Sequence, residues 1–183
     1  MSRGHTRQHS GKVVILDRDG TIVVDRSYLA DPARLAFEPG AAEGLRLMYE
    51  QGCRLVVITN QSGIGRGLFS HQRLFEIHER LWEMVESIGA RLEGIYYCPH
   101  TPEDQCDCRK PRLALLDRAA SELGFDASSV VVIGDKASDI EFGHRAGAAT
   151  ILVNAHALSL GSEAMPDFVA SDLVQAAAFI EDC

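Results

Sequence analysis

With 183 residues, 46% of them apolar, the chain is long enough for one ordinary globular domain and short for two. Its 18 basic against 26 acidic residues leave a formal charge of −8, the wrong sign for holding nucleic acid through phosphate neutralisation. No apolar run approaches a bilayer span and no signal-type segment follows the basic start MSRGHTRQHSGK, so a cytoplasmic protein with no membrane partner is expected.

Residues 1–12 are polar and aperiodic, which predicts a mobile arm with His5 and His9 solvated, ahead of a single domain over 13–183. Four short apolar, β-branched runs follow: Lys12–Asp17 (KVVILD), Cys53–Thr59 (CRLVVIT), Ser129–Asp135 (SVVVIGD) and Ala149–Asn154 (ATILVN). Each suits a strand buried on both faces. Between and after them, helical periodicity runs over about Ala41–Glu50, His71–Ile88, Leu113–Leu123 and Ser138–Ala146, with Gly52, Gly89, Gly124 and Gly147 placed to stop the helices. Strands alternating with helices predict an α/β fold, a parallel, doubly wound, Rossmann-like sheet. Such sheets bind ligands beyond the carboxyl ends of their strands, so Asp17, Thr59 and Asp135 are expected to converge.

Those strand ends carry the chemistry. LDRDGT (Leu16–Thr21) sets two carboxylates, Asp17 and Asp19, two residues apart, with Gly20 permitting a sharp turn. A lone pair of this kind is common in turns. Here ITNQSG (Ile58–Gly63) adds a hydroxyl, an amide and backbone N–H groups, and GDKASD (Gly134–Asp139) adds two more carboxylates. Acidic strand ends crowded together repel one another, and a bound cation is the natural compensation. Oxygen donors without a nearby histidine favour Mg²⁺, which keeps a place for a phosphate oxygen, and Lys110 can add a positive charge to that phosphate. A non-catalytic phosphate-binding module would need only the metal carboxylates. This chain keeps both Asp17 and Asp19 beside Thr59 and Lys110.

Five cysteines, an odd number, argue against a disulfide scaffold. Cys98, His100, Cys106 and Cys108 form C-x-H-x₅-C-x-C, a complete donor set for tetrahedral Zn²⁺. Four protein ligands leave no position for water, so zinc here is expected to be structural, folding the loop 98–108 and aiming Arg109 and Lys110, which follow it. Cys53 reads as a small buried strand residue, and Cys183 lies outside the cluster. A zinc-ribbon nucleic-acid binder would need basic and aromatic neighbours, whereas the loop reads TPEDQCD.

In order and spacing, DRDGT, the Thr of ITNQ, the Lys of RKP and GDKASD resemble the four motifs of the haloacid dehalogenase superfamily of phosphatases, over roughly Val13 to Asn154. The resemblance implies that Asp17 is the nucleophile that becomes an aspartyl-phosphate, and that Asp19 protonates the leaving oxygen and then activates water. Thr59 and Lys110 would hold the transferring phosphoryl group. The Asp17 carboxylate, the Asp19 carbonyl and Asp135 would bind Mg²⁺, with Asp139 behind them. The short stretch Thr21–Ala41 leaves room for only a minimal cap.

The zinc loop resembles two branches of that superfamily, the heptose 1,7-bisphosphate phosphatases and the histidinol-phosphate phosphatases. TNQSGIGRG, GIYYCPH and VVIGDK are more similar to the heptose branch. That branch implies substrate contacts at Asp25, Arg26, Ser27, Tyr28, Thr59, Asn60, Gln61, Ser62, Arg109, Lys110 and Lys136. The five-residue zinc spacer matches the histidinol branch at least as well, and KPRLALL lacks the Pro-Gly common in the heptose branch, so histidinol phosphate stays as the runner-up substrate. A bisphosphate would need a second cationic patch, for which Arg26, Arg66, Arg109 and Lys136 are candidates. The expected partner is a small phosphorylated metabolite, bound by a monomer.

Overall fold

In the computed structural model, residues 11–154 and 165–181 are described. The predicted arm with His5 and His9 lies outside them apart from its last two residues, and so does Cys183. Six parallel strands form one sheet: β1 (Val13–Leu16), β2 (Arg54–Asn60), β3 (Leu92–Cys98), β4 (Val130–Gly134), β5 (Ala149–Val153) and β6 (Phe168–Ala170). Their order across the sheet is β3-β2-β1-β4-β5-β6. The helices are α1 (Ala41–Glu50), α2 (His71–Ser87), α3 (Ala114–Leu123), α4 (Ala137–Ala146) and α5 (Leu173–Glu181). None of them is long and apolar enough to cross a membrane.

The four expected strands and four expected helices all form, and the structure adds β3, β6 and α5. The alternation of side chains along β1 explains the two layers. Val14 and Leu16 join the apolar cluster beneath α1, α2 and α5, whereas Val13 and Ile15 join the cluster beneath α3 and α4. Both faces are thereby covered, as a parallel sheet requires. In the first layer α1 meets α5 so closely that a Cβ on Gly44 would come within 2.3 Å of the Leu173 backbone.

A serine cap that sequence reasoning did not single out and two of the expected glycine stops set helix ends. The Ser70 hydroxyl caps α2 by accepting from Arg73 N at 3.2 Å. Gly124 and Gly147 close α3 and α4 at φ of 67° and 72°, the left-handed region that suits glycine.

The strand order reverses direction between β1 and β4, the neighbouring strands of the sheet's centre. That switch point opens a crevice beyond their carboxyl ends, where Asp17 and Asp135 leave the strands. Residues 21–40 form only isolated bridges and one 3₁₀ turn, Pro32–Arg34, so this segment contributes a small flap.

Candidate active site

Three carboxylates gather at the switch point. Asp17, Asp135 and Asp139 place oxygens within 4.8 Å of one another. Burial, reinforced by Asp17 and Asp139 against the pull of Lys136, pushes the Asp135 carboxyl up to about 7. This is the repulsion expected from the sequence, and oxygen donors so arranged fit a hard divalent cation. Asp139 also accepts from Lys136 N at 3.1 Å, capping the start of α4. Gly20 makes the crowding possible: it turns at φ +86°, and a Cβ there would lie 2.3 Å from Asp135 Oδ2.

Lys110 is the local counter-charge. Its buried ammonium lies 2.6 Å from Asp17 Oδ1 and 2.7 Å from Asp139 Oδ1, and donates to the Ile58 carbonyl at 2.6 Å. Burial disfavours that charge, but Asp139 and Asp17 outweigh it and hold Lys110 above the ordinary lysine value. The Asn60 side chain fixes the backbone beside it, accepting from Lys110 N at 3.0 Å and donating to Lys110 O at 3.3 Å. Asn60, expected to touch substrate, thus also anchors the lysine. Thr59, at the end of β2, is buried, and its hydroxyl accepts from Gln61 Nε2 at 2.9 Å.

Next to this cluster lies a cavity of about 310 Å³. Of the expected substrate residues, Asp25, Ser27, Tyr28, Asn60, Gln61, Ser62, Arg109 and Lys136 line it, together with Asp19. Arg26 is exposed and outside that lining. Arg66 turns toward Glu103 at 3.9 Å instead. Asp25 is committed within the flap: it accepts from Ser27 N at 2.9 Å and pairs with Lys136 at 3.2 Å. Burial opposes ionisation of Asp25, but these two contacts prevail and hold its carboxyl below the usual aspartate value.

Cys98, His100, Cys106 and Cys108 form a second cluster, again with donor atoms within 4.8 Å of one another. Cys106 Sγ is 3.5 Å from both Cys98 Sγ and Cys108 Sγ, and His100 Nδ1 is 3.2 Å from Cys108 Sγ. A disulfide needs sulfurs about 2.05 Å apart. Zn–S bonds of about 2.3 Å arranged tetrahedrally set edges of about 3.8 Å, so the donor set fits a tetrahedral metal. Burial, then the Cys108 thiol, pushes the Cys98 thiol up, so a thiolate there calls for a cation. The loop leads straight to the lysine, and Arg109 donates to the His100 carbonyl at 3.3 Å.

The residue that sequence reasoning missed is Arg18. It is 1% exposed, paired with Asp19 at 2.8 Å and in reach of Gln61 and His78. A basic residue inside an acidic turn reads as a solvated charge, and its only sequence signal is its place between the two aspartates.

The family model described as HAD-hydrolase-like matches residues 107–176. A relative from Haemophilus ducreyi, D-glycero-beta-D-manno-heptose-1,7-bisphosphate 7-phosphatase, is 37% identical over 92% of this chain and 98% of its own. The chain belongs to the haloacid dehalogenase phosphatases. It is thus a phosphoric monoester hydrolase of that superfamily. A Vibrio cholerae phosphatase of the same name is 39% identical over 75% of this chain and 77% of its own. Among solved haloacid dehalogenase structures, D,D-heptose 1,7-bisphosphate phosphatase from B. bronchiseptica, complexed with magnesium and phosphate, superposes at a TM-score of 0.84. It is 30% identical, covering 93% of this chain and 98% of that one.

Proposed function

We propose that the enzyme hydrolyses D-glycero-D-manno-heptose 1,7-bisphosphate to the heptose 1-phosphate. The observation that carries this reading is the division of positive charge. Lys110 is buried against Asp17, while Arg109 lines the adjoining cavity together with the Lys136–Asp25 pair. Among the described residues the Arg109 guanidinium donates only to a backbone carbonyl, so it can meet a second phosphate or sugar hydroxyls. The names of the relatives support the same substrate. The runner-up, histidinol phosphate, would bring an ammonium in need of a carboxylate. Asp25 is already paired with Lys136.

In this reading Asp17 attacks phosphorus and becomes the aspartyl-phosphate, and Asp19 gives the leaving oxygen its proton and later takes one from water. Lys110 and Thr59 hold the transferring phosphoryl oxygens, with Lys110 offsetting the charge that builds on them. Asp17, Asp135 and the Asp19 carbonyl would hold Mg²⁺, with Asp139 behind them, and the bound cation supplies Lewis-acid neutralisation of phosphate charge. Zn²⁺ held by Cys98, His100, Cys106 and Cys108 would be structural. One domain over 13–183, including the loop 98–108, acting as a cytoplasmic monomer on a small phosphorylated sugar, completes the reading.

Purified enzyme assayed with α- and β-heptose 1,7-bisphosphate and histidinol phosphate side by side tests the substrate through kcat/KM. The bisphosphate should be favoured at least about tenfold, a difference of about 1.4 kcal/mol. A preference for histidinol phosphate would replace it. Asp17→Asn, which cannot form the acyl-phosphate, should remove turnover on every ester while leaving the fold intact.

A further inference from the structure

Nothing in the proposed reaction uses Arg18 directly, yet it is among the largest fully buried side chains among the described residues. A guanidinium stays charged and brings five N–H donors, so burying it demands a fixed set of acceptors. Asp19 supplies most of them: Nε donates to Oδ1 at 3.2 Å, and Nη2 to Oδ1 at 3.0 Å and Oδ2 at 2.8 Å. Nη2 also donates to Gln61 Oε1 at 2.9 Å. On the other side Nη1 faces His78 Nε2, from α2, at 3.3 Å. Burial, then the charge of Arg18, pushes His78 down to about 3, so its ring is neutral and Nε2 can accept.

This arrangement decides how the Gln61 amide is turned. A guanidinium can only donate, so it must face Oε1. That leaves Nε2 to donate to Asp19 Oδ2 at 2.7 Å and to Thr59 Oγ1 at 2.9 Å. Guanidinium and amide together grip both oxygens of Asp19, whose side chain stands at the wall of the substrate cavity.

We propose that Arg18, braced by His78, is a positioning residue: with Gln61 it holds the Asp19 carboxyl group in the place from which its proton passes to the leaving oxygen. The inference rests on Asp19 being the acid–base group, and the test separates the two. Arg18→Lys keeps a charge but loses the fork, and His78→Leu removes the brace. Both are compared with Asp19→Asn on an alkyl phosphate, whose alkoxide needs a proton to leave, and on p-nitrophenyl phosphate, whose phenolate does not.

The readout is kcat/KM, which is independent of the later hydrolysis of the aspartyl-phosphate. Asp19→Asn should lose far more on the alkyl ester. Arg18→Lys should show the same bias, with an alkyl-ester loss of about 10- to 100-fold, below the full worth of general acid catalysis. His78→Leu should show it more weakly. Equal losses on both esters in Arg18→Lys, with the bias kept in Asp19→Asn, overturn the positioning role and leave the acid–base reading standing. Absence of bias in Asp19→Asn overturns both. Should Arg18→Lys fail to fold, His78→Leu decides: the alkyl bias supports the role, and unbiased or wild-type kinetics overturn it.

Discussion

Replacing Lys110 with Met would keep the length of the side chain and remove the single ammonium that lies 2.6 Å from Asp17 and 2.7 Å from Asp139. Breaking a buried ion pair by deleting one partner costs about 3–5 kcal/mol, because the remaining charge is left uncompensated. In a chain of this size each kcal/mol moves Tm by about 2–4 °C, so the variant should melt about 6–20 °C lower in Mg²⁺-free buffer at pH 8. The deficit should shrink on acidification. Burial holds Asp139 above its ordinary value even with Lys110 present, and Asp135 is pushed up to about 7. Acids with raised folded-state values stabilise the fold at low pH and lose that contribution as pH rises through the folded value, and losing Lys110, which pulls Asp139 down, raises Asp139 further. Mg²⁺ at a hundredfold excess over Kd should raise the variant's stability by about 2.7 kcal/mol over its own Mg²⁺-free state. Thermal unfolding by circular dichroism at pH 8 and pH 6, with and without Mg²⁺, measures all three. A Tm change under about 2 °C, or a deficit that grows toward pH 6, would refute the reasoning about the buried cluster.

Other consequences are open to direct measurement. His78 titrates at about 3 in the fold, whereas a free histidine titrates near 6.5, so the unfolded chain takes the extra proton between those values and stability is lost as pH falls. Urea unfolding should therefore find wild type losing about 2 kcal/mol more than His78→Leu between pH 7 and pH 5. Gly20→Ala should add strain at φ +86° and push the Asp135 carboxylate aside, so calorimetric titration should find Mg²⁺ binding weakened about tenfold or more. Metal analysis after dialysis should find close to one zinc per chain. Cys106→Ser should lower that content and raise KM through misplacement of Arg109 and Lys110.

Much of the site was legible in the sequence because local chemistry and the parallel sheet's geometry point the same way. β-branched runs that end in Asp17, Thr59 and Asp135 can hardly be anything but buried strands with polar carboxyl ends, and such ends meet at the switch point wherever they lie in the chain. The spacing of Cys98, His100, Cys106 and Cys108 places four donors on one short loop, so their cluster needs little tertiary help. β3 and β6 were harder to see. They are the edge strands, β3 alternates buried with half-exposed or exposed residues, and β6 has only three residues, so neither carries a continuous apolar run.

What tertiary structure alone decided is which charges are spent on one another. Arg18 looks like a surface charge until residues 43 and 60 positions away close over it, and Asn60, which lines the cavity, gains a second role when Lys110, 50 positions away, brings its backbone alongside. Arg26 and Arg66 are chemically equal to Arg109 as phosphate ligands, yet only Arg109 lines the cavity, because the cysteine loop delivers it there. Residue type and spacing specify what a side chain can do. The partner it meets is set by packing between distant segments, since a buried charge must be paired and the fold determines which partner lies within reach.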